Sequence, residues 1–172
     1  MELWDLYNLD REKTGVTMSR GEKQPDGTYR IVVHICVFND KGEMLVQHRQ
    51  PFKSGWPNLW DLSAGGCSVS GENSRRAAER ELFEELGIKM SFESSDPILS
   101  VHFGKGFDDY YVVKRNLDFS ELTLQKEEVQ GVAWASLDEI KSMIERGEFV
   151  PYHKCFIDLL FTMRDHRGAI LD

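Results

Sequence analysis

Three cysteines, Cys36, Cys67 and Cys155, are all that the 172 residues contain, and none belongs to a CxxC pair or has a histidine beside it at zinc-ligand spacing. A disulfide framework and a structural zinc site are therefore excluded as organising devices. Only five prolines occur, and no Pro/Gly-rich linker, low-complexity tract or internal repeat divides the chain. Nowhere do about 18 apolar residues run together, and residues 1–11 carry no apolar h-region. No membrane span or leader is expected, and the cytoplasm is the expected compartment. Positive charge is also scarce: 21 Lys and Arg against 29 Asp and Glu leave a net charge of -8. That balance argues against attraction to a nucleic-acid polymer, so an anionic partner would need a local basic patch or a metal ion.

What is present suffices for a core. With 41% apolar and 11% aromatic residues, the expectation is one domain over residues 1–172, with an N-terminal hairpin region, 1–29, packed on it. The run RIVVHICVF (residues 30–38) is rich in β-branched and aromatic residues, and Asn39-Asp40-Lys41-Gly42 turns it toward a second strand at 43–48, so these two read as a hairpin. A smaller hairpin is expected from 3–9 and 15–20, and a short strand from 59–64 ends at Gly65-Gly66. Asn73 or Ser74 caps a helix running to Leu86, which Gly87 terminates in the left-handed region. Strands at 98–103 and 110–115 flank a loop at 104–109, another strand covers 129–135, and Ser136 with Glu139 forms a capping box for a helix to about Glu145. A last helix is expected over 152–163. Strands with interleaved helices imply an α/β fold, a mixed sheet between helices.

Between Gly66 and Ile88 lies the informative segment: Gly66, Glu72, Arg80, Glu81, Leu82, Glu84, Glu85, Gly87 and Ile88 together read G-x5-E-x7-R-E-U-x-E-E-x-G-U, where U is a bulky apolar residue. At average residue frequencies this combination arises by chance on the order of once in 10^9 starting positions. On a helix, Glu81, Glu84 and Glu85 at i, i+3 and i+4 share one arc. Their repulsion would destabilise the helix unless a cation neutralises them, and hard oxygen ligands suit magnesium or manganese. Arg80 stands four residues before Glu84 and can pair with it or reach back to Glu72, orienting the cluster. Ala78, Leu82 and Leu86 fall on a neighbouring arc suited to packing on a sheet, although Glu79 interrupts it. Gly66 lets the backbone approach an ion and offer a carbonyl oxygen. The chemistry implied is attack of water on phosphorus in a P-O-P link.

This pattern is the signature of the Nudix family, which the chain resembles. The resemblance implies a Nudix-type α/β/α sandwich and hydrolysis of a diphosphate in a small nucleotide-type or other metabolite. It also implies Mg2+ or Mn2+ held by Glu81, Glu84 and Glu85 with the Gly66 carbonyl. A further glutamate outside the signature often binds metal or acts as base in that family. Glu127 and Glu128 are candidates for it, with Asp108 and Asp109 as rivals; Glu128 is preferred, and Glu81 itself is the alternative base. Residues 2–15, 38–49 and 137–161, with Trp56-Pro57-Asn58-Leu59-Trp60-Asp61, resemble the branch related to isopentenyl diphosphate isomerase. This raises a rival function, a metal-dependent isomerase. That enzyme places a catalytic cysteine just before the glycine matching Gly66 and a metal-binding histidine just after it, where this chain has Gly65 and Cys67. A non-catalytic nucleotide-binding module is the third alternative.

For the substrate, Arg49 and Lys53 are candidates to grip a phosphate, against the ordinary reading of lone basic residues as solvated. Trp60 is a candidate to stack on the attached group, against a place in the core. His34 reads as a hydrogen-bonded core residue and Cys67 as a small packed side chain. The expected partner is a small-molecule diphosphate, with no nucleic-acid polymer and no membrane; self-association into a homodimer stays open.

Overall fold

The computed structural model describes residues 2–93 and 95–170. Strict alternation along one strand organises it. In β3 (Arg30–Phe38), Ile31, Val33, Ile35 and Val37 enter one apolar cluster while Cys36 and Phe38 enter another on the opposite face. A strand buried on both sides needs a layer on each. Helix α1 (Ser74–Leu86) covers the first face with Ala77, Ala78, Leu82 and Leu86. Helices α2 (Leu137–Glu145) and α3 (Lys154–Met163) cover the second through Ile140, Ile157 and Leu160. The result is the expected mixed sheet between helices. Among the described residues no helix is long and apolar enough to cross a bilayer.

The seven-stranded sheet also contains β4 (Met44–Arg49), β5 (Trp60–Asp61), β6 (Ala64–Cys67), β7 (Leu99–Phe103), β8 (Gly106–Lys114) and β9 (Val129–Ala135). β8 lies parallel to β3 in unbroken register from Arg30↔Gly106 to Phe38↔Lys114. The hairpin expected from β3 and β4 survives only at its turn, where Phe38 faces Met44. Beyond that pair the strands splay, and the segment expected as one strand over 59–64 splits in two to fill the gap. β5 pairs with β4, then β6 pairs with β3 from Ile35↔Ala64 to Val32↔Cys67. Between them the buried Ser63 hydroxyl accepts from Val37 N–H at 2.8 Å and donates to the Leu45 carbonyl, satisfying both strands where their own ladder is broken.

The loop expected at 104–109 shrinks to a turn, because the β3 ladder gives backbone partners to Asp108 and Asp109. Helix α3 begins at Lys154 rather than Tyr152. The Tyr152 N–H is committed to the Val150 carbonyl and its hydroxyl donates to Asp61 at 3.1 Å. The remaining helix ends follow their caps: Asn73 accepts from Arg76 N–H, Gly87 has φ 74°, and the Ser136–Glu139 capping box is complete.

Strands β1 (Leu3–Tyr7) and β2 (Lys13–Ser19) form a separate two-stranded sheet. Leu6, Tyr7 and Met18 are buried. Tyr7 and Tyr29 exchange backbone hydrogen bonds at 2.7 and 2.8 Å. Arg11, in the hairpin turn, forms two hydrogen bonds of 3.0 and 2.7 Å with Asp109, which is fully buried and also accepts from Ser100. Removing the guanidinium would strand a buried carboxylate. Arg11→Ala is expected to cost roughly 2–3 kcal/mol in urea denaturation, less than the roughly 3–5 kcal/mol of a fully buried pair because Arg11 keeps a third of its side chain in solvent. A loss under about 0.5 kcal/mol, typical of a surface pair, would remove this role.

Candidate active site

Arg80 sits at the centre of the signature residues. Its Nε and Nη2 donate to the two oxygens of Glu72 at 2.8 and 3.1 Å, and Nη2 also donates to the Cys67 carbonyl at 2.9 Å. Nη1 reaches Glu81 at 2.8 Å and Glu84 at 2.9 Å. It thus does both things expected of it, joining the end of β6, the loop before α1 and the acidic face of the helix. Burial alone would lower its pKa; Glu72, Glu81 and Glu84 outweigh burial and raise it.

The three helix carboxylates line one cavity of about 770 Å³ together with Gly66, but their surroundings differ. Glu85 is buried, and Gln47 Nε2 and Gly65 N–H donate to its Oε2 at 2.9 and 3.1 Å. No basic side chain of the described residues pairs with it. Burial first, then the Glu81 charge, pushes its pKa up to about 8 against the two hydrogen bonds. Burial likewise raises Glu81, with Arg80 opposing. Glu84 is half exposed. Gly66 has a role beyond the one expected: a β-carbon there would lie 2.3 Å from Glu81 Oε1, so the absent side chain makes room for that carboxylate. Glu79, which interrupts the apolar face of α1, accepts from Phe92 N–H at 2.6 Å and Ser91 Oγ at 3.2 Å and so fixes the segment after the helix.

The donor set is chemically suited to a hard divalent cation: carboxylate oxygens on one cavity wall, one carboxylate without a basic partner, and a glycine strand beside them. In this structure Glu81 and Glu84 are arranged around Arg80 while Glu85 is held by Gln47 and the Gly65 N–H, and among the described residues no three His, Cys, Asp or Glu side chains converge on one point.

Of the four candidates for an additional acidic residue, Glu128 lines the cavity and pairs with Lys53. Glu127 is exposed, Asp108 bonds His34 Nε2 at 3.1 Å, and Asp109 is taken by Arg11. Lys53 and Arg49 both line the cavity and neither is solvated, their side chains being 12% and 16% exposed. Arg49 donates to Asp61 at 3.2 Å and to the Gly55 carbonyl. Trp60 lies apart from them: it stacks on His48 at 4.7 Å and lines a groove with Trp134 and Met143 against α2. His34 is half-buried and stacks on Tyr110, as a hydrogen-bonded structural residue. Half-buried Cys67 faces the cavity, and burial pushes its thiol up to about 11. Sequence reasoning missed Gln47, Glu2, Trp4 and Arg20 as site residues: the resemblance of residues 2–15 and 38–49 singled out none of them, and they reach the site only through the fold.

The NUDIX domain description matches residues 28–160. The chain belongs to the Nudix family. It is 47% identical over 165 residues to the Nudix hydrolase lmo0368 of Listeria monocytogenes, covering 96% of each chain, and is accordingly an enzyme of the Nudix hydrolase type. The crystal structure of DR0079 from Deinococcus radiodurans superposes with a TM-score of 0.73 at 25% identity, over 95% of this chain and 98% of that one. An isopentenyl-diphosphate Delta-isomerase of Streptomyces coelicolor is 28% identical over 86% of this chain and 79% of its own. A side chain at Gly65, just before Gly66, would crowd the neighbouring strand: a β-carbon there would lie 2.7 Å from the Val33 carbonyl oxygen.

A folded Nudix domain free of metal holds the Glu85 proton up to about pH 8, whereas the unfolded chain releases it near 4.5. The native state then binds more protons across that window, so this group makes stability fall as pH rises from 4.5 to 8. In chelator, Glu85→Gln, which cannot ionise, is expected to flatten the fall and to melt higher than wild type above pH 8. Equal slopes in thermal melts from pH 4.5 to 9 would clear Glu85 as its source.

Proposed function

We propose that this Nudix hydrolase cleaves the P-O-P link of a small diphosphate-containing metabolite, with magnesium or manganese held by Glu81, Glu84, Glu85 and the Gly66 carbonyl. The observation carrying this reading is that one cavity collects every signature carboxylate of the helix, Gly66 and the basic side chains of Arg20, Arg49, Lys53 and Arg80. The ion, when bound, supplies Lewis-acid activation of water and neutralises charge on the leaving phosphate. The rest falls to the protein. Arg80 fixes the Glu72, Glu81 and Glu84 side chains relative to one another, and Gln47 with the Gly65 N–H does the same for Glu85. Arg49 and Lys53 provide positive charge for phosphate oxygens.

The candidates to accept the proton of the attacking water are Glu128 and Glu81. Glu128 is already paired with Lys53, which occupies it. Glu81 has a raised pKa and an Oε2 that receives no hydrogen bond among the described residues, which favours it as the acceptor. The reading takes the chain as one domain acting in the cytoplasm, in keeping with three free thiols. The isomerase alternative is supported by the overall likeness to that enzyme and opposed by the tight backbone at Gly65 and the complete hydrolase signature.

Assay of nucleoside di- and triphosphates, dinucleotide polyphosphates, nucleotide sugars and isopentenyl diphosphate with Mg2+ and Mn2+ tests it; released phosphate or nucleotide is the expected result, and an isomerised allylic product alone would overturn it. On the best substrate, Glu84→Gln and Glu85→Gln are each expected to lower kcat by about tenfold or more while keeping a native circular dichroism spectrum. Unchanged turnover in both would remove the assigned role.

A further inference from the structure

The β1–β2 hairpin lies outside residues 28–160 that match the NUDIX domain, yet it forms a wall of the catalytic cavity. Its contact with the signature is direct. Ser70 and Gly71, in the loop between Gly66 and Glu72, bond β1: Ser70 N–H donates to the Leu3 carbonyl at 2.7 Å, Ser70 Oγ to Asp5 at 2.7 Å and Gly71 N–H to Asp5 at 2.9 Å. The hairpin therefore keeps a fixed position against the carboxylate cluster.

From this wall Glu2, Trp4 and Arg20 line the cavity. Glu2 holds the other two in place, one on each oxygen: Oε1 accepts from Trp4 Nε1 at 2.7 Å and Oε2 from Arg20 Nη1 at 3.0 Å. The Trp4 ring is half-buried and also carries the Arg30 guanidinium at 5.6 Å from its centroid. A flat indole set beside a guanidinium suits one class of ligand better than another. A hydrocarbon chain would cover Arg20 and Glu2 without returning hydrogen bonds. A planar heterocycle with polar edges can stack on the indole and still satisfy them.

Building on the diphosphate reading above, we infer that this hairpin selects the substrate: Trp4 is the platform for a planar heterocyclic ring on the group attached to the diphosphate, and Arg20, positioned by Glu2, takes an anionic or polar edge of the same group. Specificity then resides on an element separate from the helix that carries the carboxylates. The cavity, about 770 Å³, has room for both parts.

The test is titration calorimetry of the full chain with adenosine diphosphate, cytidine diphosphate, isopentenyl diphosphate and inorganic pyrophosphate, with Ca2+ as the accompanying cation. Trp4→Ala is expected to weaken the ring-bearing compounds by about tenfold, the scale of a lost base–aromatic stack, and pyrophosphate by less than about twofold. Trp4→Phe, which keeps an aromatic face and guards against a folding artefact, is expected to recover most of the affinity. Equal weakening of all four compounds, no weakening of any, or a wild type that binds the ring-bearing diphosphates no better than pyrophosphate would overturn the inference. Phosphate release with Mg2+ is scored separately: ring-selective binding through Trp4 without turnover would sustain this inference and remove the hydrolase reading.

Discussion

One guanidinium holds the site together. Arg80 donates to a strand carbonyl, to both oxygens of a loop glutamate and to two helix carboxylates, so three segments of different secondary structure share a single planar fork. Lysine could not replace it, because a point charge has neither the reach nor the fixed directions to serve acceptors on several sides. The chain as a whole is acidic, but around the cavity five carboxylates meet four basic side chains. Most of these charges are already paired inside the protein. Glu85 is the exception: it is buried, hydrogen-bonded by neutral donors and without a basic partner.

The backbone around this fork is unusual for a hairpin-derived sheet. β3 and β4 part after one pair, and the chain inserts β6 beside β3, where Gly66 faces Glu81 of α1. Ser63 closes the hydrogen-bond deficit at the point of parting, where an apolar residue would leave the Val37 N–H and the Leu45 carbonyl unsatisfied. The Gly65 N–H is then free to meet Glu85, and Gly66 leaves space for Glu81. The splay of two strands thus lets a helix carboxylate lie against a sheet backbone.

Much of this was legible in the residues alone. Helix α1 follows from its cap, its apolar spacing and its terminal glycine; β3 from its β-branched run; α2 from its capping box. The carboxylate arc could be read because helical periodicity is local. What could not be read depends on distant partners. The division of 59–64 into two strands follows from the splay of β3 and β4, and the extension of β8 to Gly106 follows from a parallel neighbour 76 residues earlier. Arg49 and Lys53 look like solvated residues until Asp61 and Glu128 are brought to them. Trp60 was drawn toward the substrate by its place in an aromatic loop, but strand pairing turned it into the groove beside α2. Glu2, Trp4 and Arg20 had no spacing signal at all, since their importance arises from two strands folding back against a loop some 50 to 70 residues away.

The parallel pairing of β3 with β8 has a consequence for biosynthesis. The helix bearing the acid cluster is made before the strand that completes the sheet beneath it, so a nascent chain that has emerged only to about residue 100 carries α1 while one edge of β3 is still open. Such an edge invites pairing with another chain. Closing the contact requires β3 to wait for β8, a non-local event that slows folding. A ribosome stalled between the two strands would therefore leave one edge of β3 exposed to association until residues 106–114 pair with it.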